Sequence, residues 1–151
     1  MTRLILTVKK TGAADWPGWE VTRKNMKLIT MVYILNATLL LLHEIESAYE
    51  KEWEILKLPG KISGFLLLHI PIILFIFYGL IELEQLSAFG LIAGIILGIG
   101  GLIPFVVHKI FVKRSGHFDR FISNSLIYLN VLSGGFLLYL SWGTLLTNFT
   151  K

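Results

Sequence analysis

The chain has 151 residues, 54% of them hydrophobic and only 16% charged, with a net charge of +4 and no cysteine. Its mean hydropathy is +0.70. Soluble domains carry about 25% charged residues, so a chain this short of polar surface cannot be covered by water alone, and part of its solvent is lipid. The absence of cysteine excludes disulfides, thiolate metal sites and cysteine nucleophiles. The basic residues adjoin apolar runs, where anionic headgroups account for them and no nucleic acid is needed.

Residues 1–25 are polar and aperiodic, with Lys9-Lys10, Thr11-Gly12 and Pro17-Gly18, and read as a flexible tail in which Trp16 and Trp19 suit the membrane interface. Leu4-Ile5-Leu6 is too short for a signal-peptide core. Residues 26–151 form one transmembrane domain. A spanning helix needs about 20 mostly apolar residues, and helices are predicted at about 28–45, 62–81, 86–108 and 121–146. Membrane-spanning backbone must be helix or barrel strand, and barrel strands alternate apolar and polar residues. Leu66-Leu67-Leu68 and Ile70-Pro71-Ile72-Ile73-Leu74 do not alternate. Short connections imply antiparallel neighbours. The expected fold class is therefore all-α, an integral membrane four-helix up-down bundle.

Pro71 and Pro104 each remove a backbone donor, freeing a carbonyl near Leu67 or Gly100 and kinking the second and third helices. Gly90, Gly94, Gly98 and Gly101 fall on one stripe, which lets another helix approach closely and makes the third helix central. Asn36 and Asn130 are placed to bridge helices. Lysine and arginine are balanced between the two faces, so the positive-inside rule selects no orientation.

The informative stretch is His43-Glu44-Ile45-Glu46-Ser47-Ala48-Tyr49-Glu50-Lys51-Glu52-Trp53-Glu54, where the first helix leaves the bilayer. Up-down threading returns His69, about two turns into the second helix, and His108, near the end of the third, to the same half of the membrane. Glu44, Glu46, Glu50, Glu52, Glu54 and Asp119 flank that half. His43 and Glu46 are three apart and share a helical face. Helix bundles build metal sites from such pairs. Imidazole and carboxylate suit zinc or iron, and three protein ligands leave a position for water, whose pKa can fall to about 7. The expected metal ligands are His43, Glu46, His69 and His108, binding a divalent metal, and Glu44 or Glu52 is the expected general base.

Plainer readings stand beside these. His69 and His108 can each bond a carbonyl freed by proline, with about equal weight. Glu50, Lys51 and Glu54 read as water-facing, Tyr49 and Trp53 as interface anchors, and His117 as an exposed loop residue. His43-Glu44-Ile45-Glu46-Ser47 opens like a zincin helix, but Ser47 stands where the second histidine belongs.

From Met26 on, the chain resembles an uncharacterised family of small bacterial four-helix membrane proteins. The matching residues are His43-Glu44-Ile45-Glu46, Tyr49, Glu52-Trp53, Leu58-Pro59-Gly60, Gly64-Phe65-Leu66-Leu67-Leu68-His69 and His108. The opening is also similar to the HXXEE membrane domain, with His43 and Glu46 matching and Ser47 replacing the final Glu. The resemblance implies a bacterial cytoplasmic membrane location and His43, Glu46, Glu52, His69 and His108 as site positions. The expected function is a His/Glu site near one membrane face, metal-binding and catalytic on a lipid-like substrate. The alternative is a non-catalytic ligand-binding module or accessory subunit. The expected partners are the lipid bilayer, a hydrophobic small molecule, and further copies of the chain or a larger membrane complex.

Overall fold

A computed structural model describes residues 17–55, 57–108 and 121–149, with no strand among them. Six helices follow in order: α1 Pro17–Tyr49, α2 Glu52–Ile55, α3 Lys61–Glu84, α4 Ala88–Gly100, α5 Ile103–Val106 and α6 Phe121–Phe149. Four segments are long and apolar enough to cross a membrane: Leu28–Tyr49, Lys61–Glu84, Ala88–Val106 and Phe121–Asn148. The architecture is the expected all-α four-helix bundle, and the length and composition of its helices are those of a membrane protein.

Three of the departures from the predicted boundaries have a local reason. Helix α1 begins at Pro17, inside the segment read as a tail; proline fits the first turn because its missing N–H has no helical partner there anyway. Residues 1–16, with Trp16, lie outside the described residues. At its other end α1 runs on to Tyr49, because Ser47 turns inward and is buried. The third span is interrupted just before Pro104: α4 ends at Gly100, and Gly101 and Leu102 form a turn whose N–H groups bond the Leu97 and Ile99 carbonyls. By contrast α3 runs unbroken through Pro71.

Helix α4 packs against α1, α3 and α6, as its glycine stripe predicts. A Cβ on Gly98 would stand 2.8 Å from the Gly134 carbonyl oxygen, and one on Gly101 would stand 2.7 Å from Asn36 Oδ1. These positions have no room for a side chain, which is why α4 and α6 touch backbone to backbone. Two asparagines tie the same helices together. Fully buried Asn36 donates Nδ2 to the Leu97 carbonyl at 3.0 Å and accepts Ser133 Oγ at 2.8 Å. Asn130 donates Nδ2 to the Leu39 carbonyl at 3.2 Å. Tyr33 reaches across to α3 and donates its hydroxyl to the Ile76 carbonyl at 2.8 Å.

The residues that join α1 to α3 fold back over the bundle. Lys51, Lys57, Lys61 and Gly60 all have positive φ, at 55°, 52°, 52° and 83°. Left-handed backbone costs an ordinary residue roughly 1–2 kcal/mol, so these turns are held by what they pack. The anchor is Trp53, only 8% exposed and 5.8 Å ring to ring from Phe65 of α3. Tyr49, four residues earlier, is 74% exposed. The interface-anchor reading therefore suits Tyr49 alone, because α2 turns Trp53 into the bundle.

Candidate metal centre

The asparagine ties fix α1 against α4 and α6, and two turns beyond Asn36 they set the position of His43. His43 is buried. Its ring meets that of His108 edge to face, with centroids 5.1 Å apart. His108 follows α5, beyond the Gly101–Leu102 break, and is also buried. The third member comes from α2: buried Glu52 places Oε1 3.1 Å from His108 Nε2. One ligand atom from each of His43, Glu52 and His108 lies within 4.8 Å of the other two. They are the only such group among the described residues.

Of the four ligands expected from the sequence, this triad contains His43 and His108, lacks Glu46 and His69, and adds Glu52. Glu52, expected as a base, sits with the two histidines. Glu46, expected as a ligand, stands 3.8 Å from His43 Nδ1, beyond hydrogen-bond range, and both atoms are buried. His69 faces Glu44 instead. Its Nε2 is 2.9 Å from Glu44 Oε2, and its Nδ1 donates to the Phe65 carbonyl at 2.7 Å. That carbonyl belongs to the preceding turn and is not Leu67, the one Pro71 frees. With Nδ1 donating, one proton lies between Nε2 and the carboxylate, so the pair is either imidazolium with carboxylate or neutral imidazole with carboxylic acid. The loop carrying His117 and Asp119 lies outside the described residues.

The environment of Glu52 favours its charged form. Burial alone would raise its carboxyl, but His108, the Ser47 hydroxyl and the charge of His43 together outweigh that and hold it below its usual value. Ser47, noted in the sequence for departing from the zincin and HXXEE patterns, is thus part of the site. Its place four residues after His43, on the same helical face, was the available signal.

The donor set fits a small divalent ion. Two imidazoles and one carboxylate are a familiar zinc set with a fourth position open, and tetrahedral zinc spaces its ligand atoms about 3.3 Å apart. The His108–Glu52 contact of 3.1 Å is already near that spacing. Buried Oε1 of Glu52 makes no well-directed hydrogen bond although His108 Nε2 stands 3.1 Å away, a costly state that an ion between them would relieve. The triad forms one end of a cavity of about 290 Å³. Glu44, Ser47 and His69 also line it, and the remaining wall is apolar.

A bundle of membrane-length helices around a buried His/Glu cluster defines the class: a small helical membrane protein with a polar site under one face. The chain belongs to the family of unknown function DUF6713, which matches residues 29–144 and so takes in α2, the triad and most of all four spans. No curated protein and no solved structure matches it.

Proposed function

We propose that the protein is a metal-dependent membrane enzyme of the bacterial cytoplasmic membrane, with His43, Glu52 and His108 holding a zinc or iron ion and a lipid-like molecule as substrate. The observation that carries this reading is the convergence of three buried donors from three separate segments on one point. A bound ion supplies a Lewis acid and a water nucleophile at neutral pH. Glu46 is the outer partner that orients the His43 ring, as carboxylates commonly do for metal-bound histidine. On this reading it is what the HXXEE pattern retains here. Glu44, hydrogen-bonded to His69, would serve as the general base in its carboxylate form.

Metal analysis of protein purified in mild detergent tests the assignment. One zinc or iron per chain is expected, lost in both His43→Ala and His108→Ala and kept in His69→Ala. Full metal content in the first two variants overturns it. A metal-free protein that nevertheless retains a bound small molecule in its cavity favours a non-catalytic ligand-binding module, a reading supported by the cavity's mostly apolar wall.

A further inference from the structure

The cavity has a closed end and an open flank. At the membrane face it is shut: Ser47 and Glu52 line it and are buried, and Trp53 seats α2 on Phe65. On the flank the situation reverses. Leu68 and Ile72 of α3 and Ile103 of α5 line the cavity, yet they are 49%, 40% and 55% exposed. A side chain that is both inner wall and outer surface marks a mouth. Leu68 and Ile72 lie two to three turns into α3 from Lys61, roughly 10–17 Å along the helix at 1.5 Å per residue. That depth is within the roughly 30 Å hydrocarbon core. The Gly101–Leu102 break contributes to the mouth, since it separates Ile103 from the close-packed body of α4.

Size and polarity narrow the occupant. At about 290 Å³ the cavity is at the lower end of small-molecule sites, roughly 300–1,000 Å³. An apolar cavity of about 150 Å³ takes one benzene. By that measure there is room for about twelve carbons of one chain, with the remainder trailing into the bilayer, and not for the two chains of a phospholipid. Three of the polar groups form the triad beside α2, where oxygen ligands of a head group would complete the coordination of an ion held by two imidazoles and a carboxylate.

We propose that the cavity binds a single hydrocarbon chain of a fatty acyl amphiphile, which enters sideways from the bilayer between Leu68 and Ile72 on one side and Ile103 on the other, with its carboxyl or ester oxygens at His43, Glu52 and His108. The head-group placement rests on the metal reading above; the path of the chain rests on the walls alone.

The test uses the full chain in phosphatidylcholine nanodiscs and a palmitic acid analogue carrying a photoactivatable diazirine in mid-chain. Adducts are expected on Leu68, Ile72 and Ile103 and are competed away by unlabelled palmitate. Leu74, 64% exposed on the outer surface and outside the cavity, reports uncompeted contact with surrounding lipid. Leu68→Trp and Ile103→Trp fill the mouth from different helices, and each is expected to lose the competed adducts while still binding zinc. Mouth adducts no more competed than those at Leu74 overturn the proposal, as does unchanged labelling in both tryptophan variants. Repeating the labelling on metal-stripped protein separates the two readings. Competed adducts without metal uphold the chain site even if the metal assignment falls. Stoichiometric zinc without competed adducts removes the chain site and leaves the metal assignment standing.

Discussion

Replacing Asn36 with alanine removes two interhelical hydrogen bonds at the centre of the bundle, and the structure indicates a modest cost. The Leu97 carbonyl keeps its helical bond from the Gly101 N–H at 2.9 Å. The Ser133 hydroxyl keeps the Asn130 carbonyl at 3.3 Å. Neither partner is orphaned, so the penalty for a buried unsatisfied group does not arise. Interhelical hydrogen bonds in membranes average about 0.6 kcal/mol each, so two give about 1.2 kcal/mol, and the lost volume brings the total to about 1–2 kcal/mol. Gly98→Ala drives a methyl group against the Gly134 carbonyl at 2.8 Å and Leu138 at 3.1 Å, and overpacking of this kind costs about 1–3 kcal/mol. Equilibrium unfolding in mixed detergent micelles should therefore rank Gly98→Ala as at least as damaging as Asn36→Ala. A loss above about 4 kcal/mol for Asn36→Ala would refute the claim that both partners have alternatives.

Metal titration followed by calorimetry should separate ligand from outer partner: Glu46→Gln lowers affinity by about 10–100-fold, the range for outer-sphere carboxylates, and Glu52→Gln lowers it further. Equal losses would put both oxygens in the same shell. Trp53→Ala removes the contact that seats α2, at a cost of about 3 kcal/mol, and trypsin should then cleave faster after exposed Lys51 and Lys57. Unchanged proteolysis would mean that α2 is held some other way. The last concerns pH. Glu52 is held below its usual 4.5, so the folded state binds fewer protons there than the unfolded one. Its contribution is complete above pH 4.5 and lost as pH falls through the lower folded value. The stability gap between metal-free wild type and Glu52→Gln should not narrow until that acid range, and a gap that closes near neutrality contradicts it.

The four spans were legible because lipid imposes a length and a composition that a sequence displays directly. Threading alone brought His43 and His108 to one depth, and the close approach of α4 could be read from glycine spacing. Depth is not direction, however. His69 shares the level of the other histidines but sits on α3, on the far wall of the cavity, and pairs with Glu44. Glu52 was expected as a base and not as the direct neighbour of the two histidines. What buries it is a reversal of the chain through Lys51, Lys57 and Lys61 in left-handed backbone, a conformation lysine does not advertise. Trp53 was misjudged for the same reason.

Helix α3 is unevenly held. Its buried residues are Phe65, Ile76, Gly79 and Leu83, so the half beyond Pro71 is gripped by α1 and α4, while the half before it is pinned mainly through Phe65 and His69. Pro71 sits between them without an N–H to give. The triad, borne by α1, α2 and the segment after α5, takes no residue from this looser half. A hinge at the proline would move one wall of the cavity without disturbing the triad, and backbone amides of Leu66–Leu74 should then exchange hydrogen sooner than those of Ile76–Leu83.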